Sequence, residues 1–394
     1  MRTASHRAGA GVRRVRNLLH GRAGYRIESE WGRMGVLEGG GHVSEAILKA
    51  CGELNPLWIP PWKTVDPQNY SPSRHARLYG VPPDGRLLAG IAGHNLSFDH
   101  FGPPSKEEIA AGRSTHGEAP SVKWKLQPVR NALGPSLQAS ATLPESQLHF
   151  TRTLSLDPRW PVVYCEEQVR NLNAFDRPIS WTEHVTFGPP FVEPGVAIFD
   201  MPATRAKVCP ASYSSRPIIK PDAEFKWPFA PAIRGGALNL RTIPRGRFGN
   251  YTAQLLDPAA RIAFTSACNP RLGLLVVYAF RRADFTWVGR WLESFYRAQA
   301  PWRSRTLCCG MEFSSTPFSI PRRETIDQGR LFEEKTYRWA SAKSTVAVRF
   351  ITLLFNVPND FRGVHNVSVT NRAATVVEMG AHPRRLSSPV HPFL

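Results

Sequence analysis

Three short segments of the sequence place an imidazole or a carboxylate where it could take part in chemistry. His116 lies in STHGEAP, His184 in ISWTEHVTFGPPF and Glu312 in CCGMEFSS. Both groups exchange protons readily, and a protein can tune the pKa of either toward neutrality. Together the three residues could therefore supply an acid and a base. Taken singly, each also has a structural interpretation: a turn at His116, a hydrogen-bonded strand histidine at His184 and a solvated carboxylate at Glu312.

The segment that carries His184 is predicted to be a β-strand. Alternation along residues 179–187 points His184 to one face, among hydroxyl residues, and Glu183 to the other face, among apolar ones. Further runs of β-branched and aromatic residues lie between Pro, Gly, Asn and Asp breaks. These runs predict strands at residues 42–48, 121–129, 146–156, 161–173, 273–280 and 344–357.

Helices are few in this prediction. Residues 104–113 form the clearest one, because Ser105 and Glu108 make a capping box, whereas residues 287–299 fit a helix or a strand. No internal repeat and no long linker divides the chain. The fold class is therefore all-β, a large antiparallel β-sandwich in one domain over residues 25–394. Residues 1–24 are rich in arginine and lack the apolar stretch of a secretion signal, so they are predicted to form a disordered basic arm.

Composition limits the classes of partner. The net charge is +19, yet no basic block alternates with aromatic residues, so nucleic-acid binding is not expected. The longest clean apolar run, residues 272–280, is far shorter than the roughly 20 residues that span a bilayer, so no membrane partner is expected. The six cysteines form no C-x-x-C pair, which predicts reduced thiols in the cytoplasm and no structural metal site. The oligomeric state stays open.

The order of the segments resembles the aldose 1-epimerase, or galactose mutarotase-like, superfamily. His116-Gly117 with Trp124 is similar to the early motif of that family, VRNLNAFDRPISWTEHVTFGP to its middle motif and CGMEF to its last. The resemblance extends over roughly residues 30–345. Two positions differ from the family pattern. Glu118 stands where an aromatic residue usually follows His-Gly, and Glu183 stands where an asparagine usually precedes the second histidine.

The resemblance implies a supersandwich fold and a mutarotase reaction, which interconverts the α and β anomers of a free hexose or sugar derivative through ring opening. It implies that Glu312 is the base, that His184 is the acid and that His116 is a second donor. No metal and no organic cofactor would be needed, and the partner would be a small carbohydrate. Candidate sugar-binding residues are polar groups and aromatic platforms in nearby segments. They are Trp58, Trp62, His94, Asn95, Asp99, Glu118 and Glu183.

Three alternatives stay open on the sequence. The positive charge leaves room for an anionic sugar, with Arg113 or Arg205 as an anion partner. The same fold could serve a carbohydrate-binding protein without catalysis, because fold does not fix function. A glycoside hydrolase or lyase would need a second carboxylate facing Glu312, and Glu118 is the candidate that lies within a motif.

Overall fold

The computed structural model describes residues 10–210 and 213–394 and consists mainly of two large antiparallel β-sheets. Strands and helices are numbered here in chain order. The larger sheet has the strand order β1-β2-β3-β4-β5-β11-β21-β20-β17-β13-β14. Its strands are β1 (Gly11–Leu19), β2 (Arg22–Glu28), β3 (Gly32–Leu37), β4 (Val43–Leu48), β5 (His94–Phe98), β11 (Trp181–Phe187), β13 (Ala203–Val208), β14 (Glu224–Lys226), β17 (Phe248–Leu256), β20 (Trp287–Ser294) and β21 (Leu307–Ser314).

The second sheet packs on one face of the first and encloses the main core. Its order is β12-β18-β19-β25-β9-β8-β7-β6. Its strands are β6 (Lys125–Val129), β7 (Ser136–Leu143), β8 (Leu148–Leu156), β9 (Val162–Asn171), β12 (Ile198–Asp200), β18 (Ile262–Asn269), β19 (Leu274–Arg281) and β25 (Thr345–Asn356). Apolar residues of both sheets, such as Phe150, Trp181 and Phe313, interdigitate between them. The predicted all-β sandwich is confirmed.

A third layer covers the outer face of the second sheet. Three C-terminal strands, β26 (Val364–Val369), β27 (Ala373–Glu378) and β28 (Arg385–Pro389), form a small antiparallel sheet. Val367 and Val376 of this sheet pack with Val277 and Leu353 of the second sheet in a separate apolar cluster. Residues of the second sheet are therefore buried on both faces, which explains the continuous apolar runs in β19 and β25.

Loops and short helices cover part of the other face of the larger sheet. The helices are α1 (Pro72–Tyr79), α2 (Gly85–Gly90), α3 (Lys106–Ala110) and α4 (Arg322–Gln328). The described residues also form three two-stranded ribbons: β10 (Arg177–Ile179) with β24 (Arg338–Ala340), β15 (Phe229–Pro231) with β16 (Ala237–Asn239), and β22 (Arg330–Leu331) with β23 (Glu334–Lys335). No helix in residues 10–210 or 213–394 has the length and apolar character that crossing a membrane requires.

The N-terminal segment differs from its prediction. Residues 1–9 of the predicted disordered arm lie outside the described residues, but β1 and the first three residues of β2 fall before residue 25 and belong to the larger sheet. The boundary predicted at residue 25 is therefore wrong. β1 is an edge strand, and its exposed Arg13 and Arg14 pair with Glu28 and Glu38 at 3.1 and 2.6 Å. Charged side chains commonly protect such edges, and here they gave the strand the composition of a basic arm.

Two local predictions are settled by the structure. Ser105 and Glu108 do form the capping box, although α3 is only five residues long. Residues 287–294, which fitted either a helix or a strand, form β20. Tertiary context decides the second case, because β20 pairs along its whole length with β17 and β21 in the middle of the larger sheet.

Candidate active site

His184 and Glu312 face each other on adjacent strands of the larger sheet. The register of β11 and β21 pairs Thr182 with Ser314 and Thr186 with Gly310, which places His184 directly opposite Glu312. Directly opposed side chains point to the same face of a sheet. His184 Nε2 lies 3.2 Å from Glu312 Oε1, and both side chains are buried. The structure therefore brings together an imidazole and a carboxyl group that are 128 residues apart in the chain.

Two glycines make room for the Glu312 carboxyl group. A Cβ atom on Gly310 would lie 2.3 Å from Glu312 Oε1. A Cβ atom on Gly289, which pairs with Glu312 from β20, would lie 3.0 Å from Oε2 and 1.9 Å from the Tyr251 hydroxyl oxygen. The Glu312 carboxyl group thus packs against the backbone of Gly289 and Gly310, beside the Tyr251 hydroxyl. Side chains at either glycine would displace it.

His116 approaches the pair from a loop. Its ring centre lies 5.2 Å from that of His184, and its ring stacks on Phe101 at 5.3 Å. The backbone N–H of Gly102 donates to His116 Nδ1 at 3.1 Å, so in the neutral ring the proton is on Nε2. His116 and Gly117 both have positive φ values, 64° and 74°. A Cβ at Gly117 would lie 2.2 Å from the carbonyl oxygen of Phe98, which explains why the tight turn needs glycine there.

Burial shifts the pKa values of the three groups in opposite directions. It raises the pKa of Glu312 well above its ordinary value and lowers the pKa of His184 to about 4. The pKa of His116 is lowered well below its ordinary value by burial and then by the neighbouring His184. Burial disfavours the charged form of either group. Between the pKa of His184 and the raised pKa of Glu312, the pair therefore holds one proton, which is the state that can both donate and accept.

Asn95 lies on the other side of His184 in the same row of the sheet. It pairs with His184 in the register of β5 and β11, and its side chain therefore points to the same face. Within the described residues, neither side-chain atom of Asn95 and neither oxygen of Glu312 has a hydrogen-bond partner, although all four atoms are buried. Buried polar atoms are normally paired, so these atoms are available to a polar ligand.

Aromatic rings surround the His184 side of the site. The Trp291 ring lies 5.6 Å from His184 in an edge arrangement, and Trp58 and Trp302 pack around Trp291 at 6.3 and 6.1 Å. Trp62 packs on Trp58 and Trp302. The predicted platform residues Trp58 and Trp62 are therefore buried behind Trp291. Trp291 was not among the residues predicted from the sequence, but alternation along a strand puts it on the same face as Gly289, which pairs with Glu312.

His94 and Glu183 belong to a different cluster, on the opposite face of β5 and β11. Glu183 Oε2 accepts from Arg152 Nη2 at 2.6 Å and lies 2.6 Å from His94 Nε2. Arg152 also pairs with Glu167, and all four side chains are buried between the two sheets. We call these four residues the interior ion cluster. His94 and Glu183 were predicted from the sequence to bind the sugar, but the structure does not bring them to His184 and Glu312.

Asp99 and Glu118 also bind parts of the protein itself. Asp99 makes a two-bond ion pair with Arg177, at 2.7 and 2.5 Å, and lies 3.3 Å from Arg113. Glu118 accepts from the backbone N–H groups of residues 145 and 146, both at 2.9 Å. Arg205, the other suggested anion partner, is half exposed and pairs with exposed glutamates. The charged groups of these candidates are therefore paired with other groups of the protein, away from the His184–Glu312 pair.

No protein-family profile matches the chain, and no curated protein matches its sequence. A candidate aldose 1-epimerase from Klebsiella pneumoniae subsp. pneumoniae matches its structure with a TM-score of 0.61 at 12% sequence identity, over 86% of this chain and 80% of that one. A galactose mutarotase-like protein from Clostridium acetobutylicum has a TM-score of 0.54 at 11% identity, over 89% and 99%.

A candidate mutarotase from Salmonella typhimurium also has a TM-score of 0.54, at 12% identity over 88% of this chain and 94% of that one. At such low identities the likeness shows the fold alone. The resemblance drawn from the sequence motifs is confirmed at that level. The chain has the galactose mutarotase-like fold.

Proposed function

We propose that the chain is an aldose 1-epimerase-like isomerase that interconverts the α and β anomers of a free hexose or sugar derivative. One observation carries the proposal: the Glu312 carboxyl group and the His184 imidazole lie 3.2 Å apart on one face of the sheet, with His116 beside them. Ring opening of a sugar requires removal of a proton from the anomeric hydroxyl and delivery of a proton to the ring oxygen. A pair that shares one titrating proton can do both.

The proposed reaction conserves protons. Glu312 or His184, whichever is unprotonated, takes the proton of the anomeric hydroxyl as the C1 carbonyl forms and the bond from C1 to the ring oxygen breaks. The protonated partner gives its proton to the departing ring oxygen. Rotation about the C1–C2 bond then presents the other face of the carbonyl, and the two proton transfers run in reverse. His116 Nε2–H is the proposed donor that polarises the reacting oxygen. Burial of the site favours these transfers by excluding water.

Other features support the proposal or weigh against the alternatives. The side-chain oxygen and nitrogen of Asn95, which have no partner in the part of the chain that the structure describes, can form hydrogen bonds with sugar hydroxyls. Glu118, the second carboxylate that a hydrolase was expected to use, is held by backbone N–H groups elsewhere. The six cysteines are all free thiols, which supports the proposed cytoplasmic location.

The test is anomer-exchange NMR on a panel of free sugars with the wild-type protein and Glu312→Gln. The proposal expects exchange faster than in buffer, and a loss of about 10²–10⁴-fold in the variant, the usual contribution of a general acid or base. Glu166→Gln is the control, because Glu166 is a partly exposed carboxylate on β9 outside the site. Undiminished exchange in Glu312→Gln overturns the proposal. Sugar binding that is equal in both proteins, with no accelerated exchange in either, identifies the non-catalytic binding protein instead.

A further inference from the structure

A threonine hydroxyl contacts the ring nitrogen of His184 that does not face Glu312. Thr186 Oγ1 is 3.0 Å from His184 Nδ1, whereas His184 Nε2 lies 3.2 Å from Glu312 Oε1. Thr186 and His184 are two positions apart on β11, so their side chains point to the same face of the sheet. Both side chains are buried. The imidazole is thus held between a hydroxyl group and the proposed catalytic carboxyl group.

The backbone around Thr186 holds its hydroxyl group in place. The Thr186 N–H donates to the carbonyl oxygen of Gly93 at 3.2 Å, and the Thr186 carbonyl oxygen accepts from the N–H of Trp58 at 2.8 Å. On the other side of β11, Thr186 pairs with Gly310 of β21. Threonine is also β-branched, which restricts its χ1 angle. The hydroxyl group therefore has little freedom to move away from His184.

Thr182, which lies at the same spacing on the other side of His184, makes a different contact. Its Oγ1 is 2.6 Å from Ser314 Oγ on β21. Within residues 10–210 and 213–394, the side chain that forms a hydrogen bond with the His184 ring is that of Thr186. The two threonines therefore have the same type, strand and face, but only Thr186 can influence the ring directly.

The proposed reaction requires His184 to exchange its proton at one particular nitrogen. Nε2 faces Glu312, so Nε2 is the atom that has to take and give the proton. A neutral imidazole has one N–H group and one lone pair. Nε2 has the lone pair only when the proton of the neutral ring is on Nδ1. In the other tautomer Nε2 already carries a proton, and the lone pair points toward Thr186, where no carboxyl group can share a proton with it.

Two acceptors favour a proton on Nδ1. Thr186 Oγ1 can accept from Nδ1–H at the observed distance of 3.0 Å. Burial lowers the pKa of His184 to about 4, and a hydrogen bond to the backbone of His184 itself offsets part of this effect. Nδ1 is the ring nitrogen that can reach that backbone. The hydrogen bond at one nitrogen of a histidine decides which nitrogen is left for chemistry, and here it leaves Nε2.

On the basis of the function proposed above, we propose that Thr186 is a positioning residue that keeps a proton on His184 Nδ1 and so confines proton exchange to Nε2. Thr186 acts through His184 and does not bind the sugar itself. Nε2 takes the proton of the anomeric hydroxyl while protonated Glu312 gives its proton to the ring oxygen, and both transfers reverse when the ring closes. The proton on Nδ1 is neither gained nor lost, so the count of protons balances at each step.

The test determines the tautomer of His184 by two-bond ¹H–¹⁵N NMR of the histidine rings in the full chain without sugar. His184→Asn identifies the His184 signals by their loss. At neutral pH the wild type should show a neutral ring with its proton on Nδ1. Thr186→Val removes the hydroxyl group at similar shape and should shift the proton toward Nε2. Thr186→Ser keeps the hydroxyl group and should retain the wild-type tautomer.

Anomer exchange by the same variants provides the second measurement. Thr186→Val should lower kcat by about 10–100-fold, the usual cost of losing a group that orients a functional histidine. KM should change little, because Thr186 does not bind the sugar. Thr186→Ser should restore most of the rate. A loss in Thr186→Ser as large as that in Thr186→Val would show that the hydroxyl group is not what matters, and would overturn the positioning role.

Thr182→Val is the matched control, since it removes a buried hydroxyl group from the same face of β11 that bonds to Ser314 and not to His184. It should leave the His184 tautomer as in the wild type. A wild-type ring that carries its proton on Nε2 overturns the inference without any variant. A tautomer that is the same in Thr186→Val as in the wild type also overturns it.

The tautomer separates this inference from the proposed function, because it is measured without sugar. If no sugar exchanges faster than in buffer, the proposed reaction fails, and the spectra of wild type and Thr186→Val still decide whether Thr186 sets the position of the proton. If exchange is fast and is lost in Glu312→Gln, but Thr186→Val keeps the wild-type tautomer and rate, the reaction stands and the role of Thr186 is overturned.

Discussion

His184 Nε2 lies 3.2 Å from Glu312 Oε1 across two neighbouring antiparallel strands, and the two groups have pKa values shifted in opposite directions by the same burial. Below the pKa of His184, about 4, both groups carry a proton and the pair has no base. Above the raised pKa of Glu312, neither carries one and the pair has no acid. The rate of anomer exchange should therefore follow a bell-shaped pH profile. NMR measures the exchange rate, and circular dichroism defines the pH range in which the protein is folded.

The two limbs of that profile belong to the pair, so a variant at one position should alter both. His184→Asn is expected to lower the rate by about 10²–10⁴-fold and to remove the acid limb, because asparagine does not titrate. An acid limb that persists in His184→Asn at unchanged pKa would assign it to another group and contradict this account.

Gly310 provides a test of the carboxyl position that leaves the Glu312 side chain in place. In Gly310→Ala the new Cβ would lie 2.3 Å from Glu312 Oε1, so the carboxyl group has to move. Exchange should fall by about 10–100-fold, since a misplacement of about 1 Å can cost that much. The free energy of unfolding should fall by about 1–3 kcal/mol from overpacking. The exchange rate and urea unfolding are measured on the same preparation.

The double variant Gly310→Ala/Glu312→Gln is the control. If Gly310 acts only by placing the carboxyl group, the double variant should exchange no more slowly than Glu312→Gln alone, because the two effects share one cause. Additive losses would show that Gly310 affects the site by another route.

How much of the site the sequence could reveal depends on strand alternation. Residues 179–187 alternate so clearly that the separation of His184 from Glu183 followed from the sequence, and the structure has these two side chains on opposite faces. Alternation assigns a residue to a face but gives no partner across the sheet. His94 and Asn95 illustrate this limit, because they are neighbours in the sequence on opposite faces of β5. The register with β11 shows that His94 belongs to the interior ion cluster and that Asn95 belongs to the site.

Other parts of the molecule carried misleading local signals. Arginines in β1 indicated a disordered arm, but in a strand at a sheet edge they pair with glutamates of neighbouring strands. Trp291 lay in a segment that fitted a helix as well as a strand, so its face was undefined. These features depend on contacts between distant residues, which composition and periodicity do not report.

The interior ion cluster should contribute strongly to stability. Arg152 on β8 pairs across to Glu167 on β9 and reaches Glu183 on β11, and all three side chains are fully buried. Arg152→Met should lower the free energy of unfolding by about 3–5 kcal/mol, because it leaves two carboxyl groups buried without a cation. Urea unfolding followed by tryptophan fluorescence measures the change.

Arg349→Met is the matched control for that variant. Arg349 also pairs with a glutamate of β9, Glu166, at 2.8 Å, but on the outer surface, where its side chain is 46% exposed. A surface pair contributes about 0–1 kcal/mol, so the control should lose little. Similar losses in the two variants would show that burial does not set the contribution of the Arg152 pair.

Glu312 should lower the stability of the folded protein as pH rises. Its pKa is about 4.5 in the unfolded chain and is raised by burial in the folded one. The stability that the protonated group contributes is fully present below the unfolded value and is lost as pH rises through the folded value. Glu312→Gln has no such titration. Between the unfolded and the folded pKa, the difference in unfolding free energy between the variant and the wild type should therefore grow in favour of the variant by up to about 1.4 kcal/mol per pH unit, and above the folded pKa it should stay constant.

Urea unfolding of both proteins at several pH values between roughly 5 and 8 measures this difference, with Glu166→Gln as a control for the loss of a carboxylate outside the site. Parallel curves for Glu312→Gln and the wild type would contradict the raised pKa. Divergent curves would show that the chain retains a buried acid at a cost to its own stability. Proteins commonly accept such a cost where a group is needed for activity, so the same variant that abolishes exchange should be the more stable protein at neutral pH.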